Sequence, residues 1–286
     1  MPADTPASER DLETPSFDGL ALSGRIWHVD RPRGVVVVAH GLGEHGGAYG
    51  HVARALGRSS QVDVLAVDFR GHGRSPGKRG VVQRYEDLCG DLRAAIAFAA
   101  GRWPGLARFV LGHSNGGQVV LRSALDGGLD VAGAVLSNPA LRVAAAVPRW
   151  KLGVGRVLRR VAPGVTLRTS VDLDTLTRDP AMIEERRADP LRHSRINGPL
   201  LFGLIAGGAD VARRAGEFRL PVLLVLGGAD PLIDAAFTSG VFDRLGSADK
   251  TRLTYPRMLH EPLNDLDREA PLAAIGRWLS DRLPPV

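Results

Sequence analysis

Hydrophobic runs of strand length alternate with stretches of helical periodicity along most of the chain. The run over residues 34–40 has four consecutive valines and no polar alternation, so it reads as a strand buried on both faces. Further strand patterns fall at residues 62–67, 108–111, 131–136, 222–226 and 251–255, and helix patterns at 48–56, 85–100, 118–125, 235–245 and 269–283. Ahead of them, after a polar, proline-containing lead, residues 16–28 alternate as a hairpin with its turn at Asp18-Gly19. Alternation with short loops predicts an α/β fold: a mostly parallel, doubly wound sheet with helices on both faces.

That alternation breaks once. Residues 140–219 are too many for a loop and carry helical stretches of their own, which predicts an inserted helical cap between core segments 1–139 and 220–286. Within the insert Val147, Val154, Val157, Leu158 and Val161 recur at helical spacing, with Arg149, Lys151, Arg156, Arg159 and Arg160 between them. This pattern predicts an apolar inner face and a solvated basic outer face. A basic amphipathic helix lying on an anionic lipid surface is the other reading.

Charge sharpens this picture. The net charge of +6 is local, because residues 142–214 hold fourteen basic and seven acidic side chains and the remainder is close to neutral. No basic tract interleaved with aromatics predicts a nucleic-acid partner. The single cysteine, Cys89, falls in a helical pattern and excludes an intramolecular disulfide. The first residues lack the basic start and apolar core of a signal peptide, and no run is long enough to span a bilayer, so a cytoplasmic location is expected.

Candidate chemistry centres on Gly112-His113-Ser114-Asn115-Gly116, where a strand pattern stops and a helix pattern begins. In a GxSxG elbow the serine sits on a strained turn with its hydroxyl exposed, while the flanking glycines avoid collisions with neighbouring chain. A serine hydroxyl needs a base to take its proton and a third group to hold that base. On this kind of sheet the acid and histidine follow the serine in loops at strand ends. Asp230 follows the strand pattern at 222–226, and His260 follows the one at 251–255. Asp230 could instead be an N-cap for the helix that follows, with Asp234 as the orienting acid, and His193 in the insert is the other late histidine. Two backbone N–H groups are needed for a tetrahedral oxyanion, one from Asn115 and one from the loop after the first long strand, where Leu42 is the candidate beside Gly41. That loop also spells Gly41-x-Gly43-x-x-Gly46, with Asp68 ending the next strand, as in a dinucleotide site. The dinucleotide reading leaves Ser114, Asp230 and His260 without a role.

Five blocks occur in order: residues 40–45 with Tyr49, residues 68–75 with Gly77, residues 112–117, residues 228–230 and residues 259–261. Together they resemble the monoacylglycerol lipase and lysophospholipase branch of the α/β-hydrolases. The resemblance implies a serine hydrolase for glycerol monoesters of fatty acids, with a Ser114, Asp230 and His260 triad and no metal or organic cofactor. It implies a lid gating an acyl channel, for which Leu152, Val154, Leu158, Phe202 and Ile205 are the apolar candidates, and a lysophospholipase or general carboxylesterase as the neighbouring activity. It also implies that residues 68–75 mainly support the site. One departure is Asn115, where the family usually has methionine; a polar amide there is expected to bear on acyl or alcohol preference.

Overall fold

The computed structural model describes residues 8–144, 149–169 and 171–284, leaving aside the side chains of Arg149, Lys151 and Leu158. The chain opens with β1 (Ser8–Pro15) and β2 (Ala21–His28), an antiparallel hairpin turning through Asp18-Gly19. The first strand therefore lies in the polar lead. Its charged residues suit a sheet edge, where only one side of the strand is paired.

The chain then alternates as β3 (Gly34–Ala39), α1 (Gly50–Ser60), β4 (Val62–Val67), α2 (Glu86–Arg102), β5 (Ala107–His113), α3 (Asn115–Leu125) and β6 (Gly133–Ser137). After an excursion it resumes with β9 (Val222–Gly227), α7 (Ala235–Asp243), β10 (Lys250–Tyr255) and α8 (Glu269–Ser280). The eight-stranded sheet has the order β1-β2-β4-β3-β5-β6-β9-β10 and is parallel from β4 to β10. This is the α/β architecture that the alternation predicts.

The valines of β3 show why a continuous apolar run marks such a strand. Val35 and Val37 point into the core beneath α2 and α3, while Val36 and Val38 point into the opposite core beneath α1 and α8. Burying each contributes about 1.5–3 kcal/mol relative to exposure. Because the inner strands are parallel, the loops after β3, β5, β6, β9 and β10 all emerge at one sheet edge, the ordinary place for a site in such folds.

Between β6 and β9 lie α4 (Arg149–Val161), β7 (Thr166–Arg168), α5 (Pro180–Ala188), β8 (Arg195–Asn197) and α6 (Gly198–Arg214). β7 and β8 form a separate two-stranded ribbon. α6 sends Leu200 and Val211 into the main core, and its Gly203 and Gly207 rest against Tyr85 and Gln118. α4 is oriented opposite to the expectation from its sequence. Trp150, Val154, Val157 and Val161 form one stripe that is 67, 43, 59 and 73 % exposed. Arg156 and Arg159 instead lie over the ring of Phe202 on α6, and Gly155 approaches the same ring. The valines on the solvent side contradict the predicted apolar inner face, while Arg156 and Arg159 reach the Phe202 ring and remain exposed.

Candidate active site

Ser114 stands between β5 and α3 with φ +51° and ψ −118°, a region costly for a residue with a Cβ, by about 1–3 kcal/mol. Its neighbours permit the turn. A Cβ on Gly116 would lie 2.0 Å from the carbonyl oxygen of Ala39, so only glycine lets α3 approach β3 this closely. The strain turns the half-buried Ser114 side chain toward the loops after β9 and β10.

There the three side chains meet. Ser114 Oγ lies 2.9 Å from His260 Nε2, and His260 Nδ1 lies 2.7 Å from Asp230 Oδ2. Asp230 Oδ1 accepts the Leu232 and Ile233 amides at 2.8 and 3.1 Å. Burial works to raise the Asp230 carboxyl, but the His260 hydrogen bond and those amides hold it below the usual range, so it is ionised. An ionised acceptor at Nδ1 keeps that proton in place and leaves Nε2 free to accept from the serine.

Both rivals are occupied elsewhere. Asp234 caps α7 by accepting the Phe237 amide at 2.8 Å and pairs with Arg142. His193 stacks against His72 on the far side of the glycine loop, with ring centroids 4.7 Å apart.

A residue that sequence reasoning passed over is Asn138, just beyond β6. It is fully buried with φ +38°, donates from Nδ2 to Asp230 Oδ2 at 2.7 Å and to Leu259 O at 3.2 Å, and accepts the Gly227 amide at 2.7 Å. It thus ties the acid, its strand and the histidine loop together. A polar residue at the end of an apolar strand was its only signal.

Among the described residues, neither the Leu42 nor the Asn115 amide has a hydrogen-bond acceptor. The loop carrying Leu42 is held on several sides. His40 donates from Nδ1 to Gly41 O at 2.7 Å and accepts the Phe69 amide at Nε2 at 3.0 Å. Glu44 Oε2 accepts the Gly41 amide and the Tyr49 hydroxyl, each at 2.9 Å. Asp68 accepts the Gly46 amide at 2.6 Å and the Arg74 amide at 2.7 Å, while Ser75 Oγ donates to Asp68 O at 2.6 Å. The carboxylate expected of a ribose-binding acid is therefore spent inside the protein. At Gly43, with φ +74°, a Cβ would lie 2.1 Å from His193 O. The insert occupies the approach that a dinucleotide pyrophosphate would need, which removes the dinucleotide reading.

The Asn115 side chain does not face the serine's open side. It is buried, and its Oδ1 accepts from the Tyr85 hydroxyl at 2.9 Å. Gly41, the substrate-binding candidate of the glycine loop, is buried beside Glu44; of the acyl-channel candidates, Leu152 is half-buried, Phe202 is half-buried against Gly155 of α4, and the Leu158 side chain lies outside the described residues. Val154 is on the exposed stripe and Ile205 is also exposed, so neither lines an enclosed channel in this conformation.

Glu44, His113 and Glu261 place potential metal-ligand atoms within 4.8 Å of one another. Arg186 of α5 pairs with both carboxylates and Arg192 pairs with Glu44, so side chains supply the positive charge there. Burial pushes the neighbouring His113 imidazole down to about 4, so it is neutral beside them at pH 7.

A family model described as Serine aminopeptidase, S33, matches residues 30–267. The chain belongs to this hydrolase family. It is 35% identical over 267 residues to a monoacylglycerol lipase of Mycolicibacterium smegmatis, an overlap of 93% of this chain and 95% of that protein. It is 31% identical over 272 residues to a monoglyceride lipase of Homo sapiens, across 93% of this chain and 88% of the relative. Among solved structures, a Paleococcus ferrophilus monoacylglycerol lipase is similar at a TM-score of 0.81 and 31% identity, covering 96% of this chain and 99% of that one. The hydrolase carries its serine, acid and histidine in the chain order expected on this fold.

Proposed function

We propose that this hydrolase cleaves monoacylglycerols to fatty acid and glycerol through an acyl-enzyme. The observation that carries the proposal is the continuous Ser114–His260–Asp230 hydrogen-bond chain at the sheet edge. Ser114 Oγ attacks the ester carbonyl as His260 Nε2 takes its proton, and the Leu42 and Asn115 amides receive the oxyanion. The imidazolium then protonates the departing glycerol oxygen. In the second half His260 takes a proton from water, hydroxide attacks the acyl carbonyl, and Ser114 leaves reprotonated. Asp230 stays ionised throughout. The relatives named for monoacylglycerol and monoglyceride lipase activity support the choice of ester.

The insert supports a lid, with α4 as its outer element and α6 as the part seated on the core. The exposed stripe of Trp150, Val154, Val157 and Val161, with no acidic residue from 142 to 168, fits an anionic lipid surface from which a monoacylglycerol would be drawn. No helix among the described residues is long and apolar enough to cross a membrane.

The test is a panel of monoacylglycerols, lysophosphatidylcholine and p-nitrophenyl esters on purified wild type and Ser114→Ala. The wild type is expected to prefer monoacylglycerols, and the variant to lose about 10⁴-fold or more of kcat. Turnover near wild type in the variant would end the mechanism. Preference for lysophosphatidylcholine would move the substrate to the neighbouring class.

A further inference from the structure

The two loops that flank Ser114 do not touch the sheet alone; one helix of the insert holds both. Ahead of α5 the insert is fastened to the histidine loop. The Glu261 amide donates to Leu176 O at 2.9 Å, Thr177 Oγ1 donates to Asn264 O at 2.8 Å, Arg178 pairs with Asp265, and Arg268 donates to Asp179 Oδ2 at 2.6 Å. Beyond α5 it is fastened to the glycine loop. His45 Nε2 lies 2.6 Å from Asp189 Oδ2, Arg192 Nη1 lies 3.2 Å from Glu44 Oε1, and the His193 amide donates to Gly43 O at 3.1 Å. Arg186 lies between these two sets of ties. Its side chain is 2 % exposed, and Nη2 pairs with Glu261 and stands 3.5 Å from Glu44 Oε1.

Each carboxylate belongs to a loop that carries one of the proposed reacting groups. Glu44 holds the Gly41 amide, next to the Leu42 amide, and Glu261 follows His260 directly. We propose that Arg186 is a positioning residue for the reaction, bridging Glu44 and Glu261 so that the oxyanion donor at Leu42 and the imidazole of His260 keep a fixed separation across Ser114.

The electrostatics agree. Burial would raise the Glu44 carboxyl, yet Arg192, His113, Arg186 and the Gly41 amide together hold it well below the usual carboxylate range. Burial and the neighbouring Arg192 push the Arg186 guanidinium down to about 10, which leaves it protonated at neutral pH. Glu44 and Glu261 thus share a largely dry space with two cations, Arg192 on Glu44 alone and Arg186 between the two carboxylates, so loss of Arg186 leaves Glu261 without its cation and removes the link between the loops. A planar guanidinium can serve two carboxylates at once; an ammonium at the end of a lysine stem serves one.

This proposal builds on the esterase reading of Leu42 and His260, so that reading is measured first, as wild-type turnover of p-nitrophenyl butyrate and labelling of Ser114 by a fluorophosphonate. Wild type inert in both would sink the esterase reading itself. With wild type active, Arg186→Met is expected to lower kcat about 10- to 100-fold with KM within about threefold, because a misplaced oxyanion donor acts on the transition state. Arg186→Lys should recover part of that loss. For Arg186→Ala, millimolar ethylguanidinium should restore kcat severalfold, while urea at the same concentration should not. The double variant Arg186→Met/Glu261→Gln removes the orphaned carboxylate and should regain thermal stability while kcat stays low. Wild-type kcat in Arg186→Met, or recovery of kcat along with stability in the double variant, would overturn the positioning role.

Discussion

Asn115 illustrates how little the identity of a residue says about where its side chain goes. Its backbone is fixed as the first residue of α3, directly after Ser114 in the elbow, whatever the side chain is. The side-chain amide, however, is folded under α3 onto the Tyr85 hydroxyl, and Tyr85 in turn supports α6 at Gly203. Replacing it by methionine leaves the buried Tyr85 hydroxyl without its acceptor, a loss of about 1–3 kcal/mol. Asn115→Met is therefore expected to lower the urea midpoint while leaving the ratio of short- to long-chain ester turnover within about twofold. A large change in that ratio with unchanged stability would mean that the amide faces substrate after all. Ser114, Asp230 and His260 were legible because each follows a strand, and strand ends can be read from apolar runs. Asn138, Tyr85 and Arg186 were not, since their roles depend on partners 30 to 92 residues away for the first two and on both flanking loops for the third.

At the scale of elements, β3 and α4 mark the two ends of what a pattern can say. The valine run of β3 has one solution, burial on both faces, and the sheet provides it. The pattern of α4 defines a stripe but not the direction in which it points. Gly155 gives Phe202 of α6 a narrow seat, the Arg156 and Arg159 guanidinium groups lie over its ring, and Trp150, Val154, Val157 and Val161 are left outward. β1 was missed for a related reason: an edge strand rich in charge does not look like a buried one. If the outward stripe meets lipid, one charge in its middle should be felt. Val157→Glu is expected to reduce sedimentation with phosphatidylglycerol vesicles by about tenfold, from lost apolar burial and repulsion by the anionic headgroups. Hydrolysis of a water-soluble p-nitrophenyl ester should be unchanged. Equal vesicle binding by wild type and variant would remove lipid as the occupant of that face.

Across the whole molecule, the insert combines two mechanically different parts. Residues from Leu176 to His193 are fastened to both loops beside the serine by buried ion pairs and backbone hydrogen bonds, so this part cannot swing without taking the glycine loop and the histidine loop with it. Trp150 aside, the described side chains of α4 make no ion pair or hydrogen bond with either loop; Gly155 is its only described buried residue, and its outer stripe touches solvent. A lid that opens for substrate while the catalytic groups stay in register would divide in this way, with α4 moving and α5 fixed. The free energy of local opening follows buried contacts, from near zero at loosely held segments up to the global stability. Amides in the middle of α4 are accordingly expected to exchange with deuterium about 100-fold or more faster than those in the middle of α5. Anionic vesicles should slow exchange in α4 alone. Arg186→Met should speed exchange in α5 and in the loops around Leu42 and His260 without altering α4, because the guanidinium joins only those three. Equal protection of α4 and α5 in the wild type would instead mean that the insert opens as one body, and that each opening disturbs the loops carrying Leu42 and His260.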